Sequence, residues 1–235
     1  MAVPFPIISD AINRPHLSDE SPWRVRFRKI YEGLRTNITL FINPPGTRLD
    51  VSLIATQYGV SKTPIRTVFH RLENEGLVIT QHGVGTTVTE IDYSKVRQAM
   101  ELRMHLAEAI GDLDPCPPND TISQKLELLL LEFKSLEKET SSIDFALLDM
   151  HLHNCKCELI GNDLLRRTYD ELYYRTARIW FHLLPKLDLK SEFSALQRDY
   201  QQTLKAVMRG DVKAVGFITR NSLSEELYRI NDLID

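Results

Sequence analysis

Apolar and polar positions change rhythm once along this chain. Phe27, Ile30, Tyr31, Leu34, Ile38 and Phe41 follow the i, i+3, i+4, i+7 spacing of one helical face. Asn43-Pro44-Pro45-Gly46 ends that period, because proline disfavours helix at the residue before it. A short helix is expected from Asp50, a good N-cap, to Tyr58, with Gly59 supplying the positive φ of a tight turn. The next helix opens at Ser61-Lys62-Thr63-Pro64, where Ser61 or Thr63 suits the cap and proline is tolerated in the first turn. Its stripe is Ile65, Val68, Phe69 and Leu72, and Gly76 stops it. Leu77 to Thr80 and Thr86 to Ile91 are rich in β-branched residues and flank Gln81-His82-Gly83-Val84-Gly85, which predicts a small hairpin.

Helix, short helix, turn, helix and hairpin is the order of a winged helix-turn-helix, here spanning residues 21–91. Residues 1–20 carry no apolar period and read as a flexible arm. After residue 92 strand signals vanish. Leucine-rich helical periods follow at about 93–113, 120–138, 142–160, 163–186, 189–209 and 211–233. No fixed repeat links them, so they predict an all-α antiparallel bundle of about six helices over 92–235, in a mainly α chain.

Composition narrows the setting. No run of 18 apolar residues occurs and no basic stretch precedes an apolar core near the start, so neither a membrane span nor a secretory signal is expected. Three cysteines, an odd number, argue against a disulfide framework and for a reducing cytoplasm. The net charge of −3 is uneven. Residues 1–90 hold 10 Lys and Arg against 8 Asp and Glu; the remainder holds 19 against 24. Such an excess does not by itself mark a nucleic-acid binder, so placement must carry the case.

Placement does so on the helix at 61–76. With its stripe turned to the core, Lys62, Thr63, Arg66, Thr67 and His70 face outward, and Lys62 and Arg66, four apart, share one face of the first turns. Arginine there can donate two hydrogen bonds to guanine, lysine adds a point charge, and threonine reaches phosphate or a thymine methyl. Glycines around His82 let the hairpin tip approach a duplex. Double-stranded operator DNA is the partner expected.

The motifs Pro44-Pro45-Gly46-Thr47-Arg48-Leu49, Tyr58-Gly59-Val60-Ser61-Lys62-Thr63-Pro64-Ile65-Arg66 and Arg71-Leu72-Glu73-Asn74-Glu75-Gly76-Leu77-Val78 closely resemble the DNA-binding domain of GntR-family regulators. The resemblance implies operator contacts from Lys62, Thr63 and Arg66, and a wing tip at His82 and Gly83. Lys62 stands where arginine is usual. Ser52 replaces another familiar arginine, so that contact is expected to be absent or supplied by Arg48. Glu101-Leu102-Arg103, Asp149-Met150-His151-Leu152-His153 followed by Gly161-Asn162, and Ala206-Val207-Met208-Arg209-Gly210-Asp211 resemble the FCD effector domain of the FadR and VanR branch. That implies a homodimer, a repressor role as in most of the family, and a small-molecule site in the bundle.

Many members of that branch hold a divalent metal with an aspartate, a histidine four residues on and two further histidines. Asp149 and His153 match the first pair, whose spacing puts carboxylate and imidazole on one helical face. The other positions fall on Tyr200 and Ser222, both expected to point inward and both poor ligands at neutral pH. The expectation is therefore that no cofactor is required, with weak metal at most. Asp149 and His153 are expected to form a buried hydrogen-bonded pair, and Cys157, a turn beyond, is a soft donor for a rearranged site. Arg103, Asp149, His153, Tyr200 and Ser222 form the candidate effector pocket, and its arginine fits an organic acid. A hydrolase using Asp149 and His153 lacks any accompanying nucleophile motif or phosphate-binding loop, so no enzyme is expected. A winged helix serving only protein contacts leaves the basic first turn unexplained.

Overall fold

The computed structural model describes residues 21–136 and 141–234. The expected arm at 1–20 lies outside the described residues. The chain divides into two compact units between Ile91 and Asp92.

In the first unit, α1 (Pro22–Thr39) starts behind Ser21, whose hydroxyl accepts the Arg24 amide, with Pro22 in the first turn. It begins five residues before the apolar period does, because that opening turn is largely exposed and leaves no stripe. α2 (Val51–Tyr58) is capped by Asp50, which accepts the amides of Ser52 at 2.6 Å and Leu53 at 3.0 Å. Gly59 closes it at φ 63°. Ser61 holds the N-cap position of α3 (Lys62–Asn74) but makes no side-chain cap bond there. β2 (Val78–Gln81) and β3 (Gly85–Val88) form the hairpin, with Val78 opposite Val88 and Gln81 opposite Gly85.

A further strand, β1 (Arg48–Leu49), pairs antiparallel with β3, giving the order β1-β3-β2. Two residues between a proline turn and a cap offer no alternation to read. Ile30, Leu34 and Ile38 from α1 meet Ile54 and the α3 stripe Ile65, Val68, Phe69 and Leu72 in one core, closed by Leu77 and Val88.

The second unit contains α4 (Val96–Glu108), α5 (Asp120–Leu136), α6 (Ser142–Glu158), α7 (Asp163–Leu183), α8 (Leu189–Met208) and α9 (Val212–Ile234), so the described residues form the all-helical bundle expected. Single 3₁₀ turns flank α4 and follow α7. Local chemistry fixes the ends: Ser141 and Asp144 form a reciprocal capping box on α6, and Asn162 accepts the Leu165 amide at the start of α7. Past the exposed Ile143, α6 has no exposed residue, and Phe145, Leu148, Leu152, His153, Lys156 and Cys157 are buried.

α4 and α9 pack at the closest range. A Cβ on Gly216 would stand 2.5 Å from the Ala107 carbonyl oxygen, and one on Gly111 would stand 2.3 Å from Lys213 Cα. Backbone cannot yield as a flexible side chain does. Gly216→Ala should therefore destabilise the helical unit by about 1–3 kcal/mol. Urea unfolding followed by fluorescence of the buried Trp180 is the measurement, and an unchanged midpoint would show that the helices can part at no cost.

Candidate functional site

α3 sorts its residues sharply. Lys62, Thr63, Arg66, Thr67 and His70 are exposed, while the four apolar residues between them are buried. Thr67 returns its hydroxyl to the Thr63 carbonyl at 3.2 Å, which fixes one rotamer on that face. Arg48, exposed on β1, lies across the root of the hairpin: a Cβ on Gly85 would stand 3.3 Å from its Nε. Arg48, Ser52, Arg66 and His70 line one groove between α2, α3 and the hairpin. Arg48 thus occupies the space beside Ser52 where the sequence suggested a substitute cation. His82 and Gly83 are exposed at the hairpin tip, and Gly83, at φ 77°, has open space where a side chain would be.

Beneath this face lies a charged cluster that hydrophobic periodicity does not reveal. Glu75 is buried and accepts a short hydrogen bond from the Tyr31 hydroxyl and a second from Arg71 Nε at 3.4 Å. Arg35, also buried, places NH1 3.8 Å from the other carboxylate oxygen. The Arg71 guanidinium lies 3.8 Å above the Tyr31 ring. Burial, above all, raises the Tyr31 phenol pKa, so that group donates to Glu75 as a neutral hydroxyl. The cluster ties α1 to the end of α3.

The second site lies within the helical unit. A small cavity of about 40 Å³ is walled by Arg103 from α4, Asp149, His153 and Lys156 from α6, and Ser222 and Glu226 from α9. Asp199 from α8 and Tyr173 from α7 complete its polar wall. Lys156 Nζ donates to both oxygens of Asp199, at 2.8 and 2.9 Å. The Tyr173 hydroxyl donates to Asp149 at 2.7 Å, so this carboxylate is held by the tyrosine and not by His153 as the spacing suggested. Burial raises the Asp149 pKa, opposed by the Tyr173 hydrogen bond and by the charges of Arg103 and Lys156. Arg103 gives NH1 to the Thr176 hydroxyl at 2.5 Å, while its buried Nε has no acceptor. Glu226 is half-buried as a residue, with its carboxyl end enclosed; burial lifts its pKa to about 8, partly offset by Arg103.

The structure brings Arg103, Asp149, His153 and Ser222 to one cavity and leaves Tyr200 outside it. Tyr200 is fully buried, donates its hydroxyl to the Leu148 carbonyl at 2.6 Å and packs against Phe133. One residue is about 100° of helical rotation, and the preceding Asp199 is the α8 residue that faces the cavity. Lys156, Asp199 and Glu226 were missed by sequence reasoning. Lys156, three residues beyond His153, and Glu226, four beyond Ser222, left the signal of a shared helical face; Asp199 left none.

Residues 27–88 match the family described as bacterial regulatory proteins, gntR family, and residues 94–225 match the FCD domain. The chain belongs to the GntR family, in its FCD-bearing branch. Such regulators read DNA through the winged helix and bind a small-molecule effector in the FCD domain, so this chain is a DNA-binding transcription regulator. It is 22% identical over 207 residues to the HTH-type transcriptional repressor RspR of Escherichia coli K12, covering 88% of each chain. A Streptomyces ambofaciens HTH-type regulator in an unstable DNA locus is 35% identical over 94 residues, 40% of this chain and 39% of that one. In fold it resembles E. coli McbR/YncC (TM-score 0.67, 16% identity, covering 89% of this chain and 99% of that one). It also resembles a GntR regulator from Rhodococcus sp. RHA1 (TM-score 0.63, 19% identity, 88% and 98%). No helix among the described residues is long and apolar enough to cross a membrane.

The metal arrangement of many FCD domains does not fit here. Its third position falls on Tyr200, whose phenol is committed to Leu148 and held neutral by burial, and its fourth on the hydroxyl of Ser222. Asp149 meanwhile serves Tyr173.

The GntR signature at 71–78 contains Glu75, and the buried cluster gives that residue a structural duty. Glu75→Ala removes the carboxylate facing buried Arg35 and should cost the N-terminal unit about 3–5 kcal/mol. Thermal unfolding of the purified variant measures this; a loss below about 1 kcal/mol would mean that the cluster adds nothing to stability.

Proposed function

We propose that this regulator is a cytoplasmic homodimeric repressor whose grip on a palindromic operator is governed by a small carboxylate bound beside Arg103. Support for the carboxylate comes from one observation above others: a buried guanidinium with an unsatisfied Nε borders a cavity, and among the described residues no ion pair engages it. A carboxylate matches the guanidinium fork. Around it Lys156 is neutralised by Asp199, and Glu226, with its pKa near 8, is mostly protonated at neutral pH. An anion would meet the Arg103 guanidinium, whose Nε is unmatched, and a neutral carboxyl donor. The cavity's size limits the ligand to a small molecule. Repression is favoured by the kinship with the RspR repressor. The ligand can shift operator binding only by its difference in affinity for the binding and non-binding states.

On the DNA side, Arg66 and Lys62 present the cations for base edges and phosphates, Thr63 and Thr67 the hydroxyls, and Arg48, His82 and Gly83 the flanking contacts. Arg66→Ala should weaken specific operator binding by about 1–3 kcal/mol, roughly fivefold to 150-fold, with the fold unchanged by circular dichroism. Fluorescence anisotropy against operator fragments at several salt concentrations is the check. Undiminished specific affinity would remove α3 as the reader, and binding indifferent to salt would favour a protein-contact role instead.

On the ligand side, a panel of small carboxylates should include at least one that raises the melting temperature at pH 7 in the parent but not in Arg103→Met. The affinity should fall as pH climbs through about 8, because Glu226 then gains negative charge beside an anion. Glu226→Gln should flatten that decline. If no carboxylate stabilises the protein, the carboxylate reading fails while the DNA reading stands.

A further inference from the structure

Beside the cavity, three side chains of different chemistry converge on one atom. Nε2 of His153 stands 3.1 Å from Asp170 Oδ1 and 3.3 Å from Cys157 Sγ. The three donor atoms all lie within 4.8 Å of one another, and all three residues are buried. His153 and Cys157 are one turn apart on α6; Asp170 reaches across from α7.

A catalytic relay from cysteine through histidine to aspartate needs its two partners on opposite ring nitrogens, one to lose a proton and one to orient the ring. Here both approach the same nitrogen. A neutral imidazole offers at Nε2 either one proton or one lone pair, so it cannot serve both neighbours fully. A cation held among the three donors would use a lone pair from each.

The spacing suits such an ion. With zinc bonds of about 2.3 Å to sulfur and about 2.0–2.1 Å to nitrogen and oxygen, a tetrahedron separates S from N by about 3.5 Å and N from O by about 3.4 Å. The S–N and N–O separations need to widen by only a few tenths of an ångström, and the sulfur and the carboxylate oxygen lie within 4.8 Å of each other. The imidazole is fixed by its surroundings: Tyr173 stacks on it at 3.7 Å and 7°, and Tyr169 lies on it at 5.3 Å. Such support orients a ligand ring and strengthens its hold on a metal. His153 and Tyr169 also wall the cavity, which gives an ion a path from solvent.

We infer that His153, Cys157 and Asp170 form a binding site for a borderline-soft divalent cation, zinc above others, with one position left for water or a ligand atom. The mixed sulfur, nitrogen and oxygen set favours zinc over magnesium or calcium, which prefer oxygen alone. The site replaces the usual FCD arrangement by moving from Asp149 toward Cys157, with His153 common to both. It does not depend on the carboxylate reading.

Cobalt(II) is the probe. Titrated into the reduced, metal-free full chain, it should give visible bands of tetrahedral intensity and a near-ultraviolet sulfur-to-cobalt charge-transfer band, and zinc should displace it. Cys157→Ser should abolish the charge-transfer band and weaken binding by more than about tenfold. Asp170→Asn should weaken binding comparably, and Asp149→Asn should keep the band. Absence of cobalt and zinc binding by the parent protein overturns the proposal whether or not the variants fold. Binding without the sulfur band, lost in Asp149→Asn, overturns it in favour of the usual family position.

Discussion

Charge inside a helical bundle has to be answered before it can be buried. The FCD unit places Arg103, Lys156, Asp149, Asp170 and Asp199 where water is scarce, and the packing of α6 against α7 and α8 follows from how these groups are matched. Lys156 reaches Asp199, Tyr173 reaches Asp149, and His153 reaches Asp170. Each match joins α6 to another helix, so they fix that helix about its own axis more firmly than leucine contacts alone would. What the matching leaves over is Arg103 Nε, and the cavity is where that remainder faces. Ligand binding and core architecture are here one electrostatic problem.

The winged helix solves a smaller version of it. Glu75 gathers Tyr31, Arg35 and Arg71 around one carboxylate and thereby seats α1 against the end of α3. The seat is buried, while the reading residues stand on the opposite side of α3 in water.

Much of this was legible in the chain. Among the described residues the helices longer than one turn announced themselves through a 3.6-residue period or a cap, and Asp50 and Gly59 occupy the ends expected of their chemistry. Sorting α3 into stripe and exposed face needed only spacing. The limits are equally physical. A two-residue strand such as Arg48–Leu49 has no period to detect. On α6, where buried and half-buried residues follow one another around the helix, periodicity carries little direction, so spacing could say that Asp149 and His153 share a face but not that a tyrosine from α7 would stand between their roles. Tyr200 shows the sharpest limit: an inward tyrosine and a cavity-facing aspartate are neighbours, and one residue of rotation exchanges their parts. Asp170 lies on another helix from its partners, and no local pattern foretells a meeting across that distance.

Among the described groups, Lys62 and Arg66 stand exposed on a helix whose seat is made elsewhere, by Glu75 and the apolar stripe. Folding and reading are thus charged to different atoms. A chain built in this way can acquire a new operator by exchanging two or three surface side chains, with almost no thermodynamic memory of the old one. The signature that identifies the family is, at Glu75, a record of how the domain holds together rather than of what it reads.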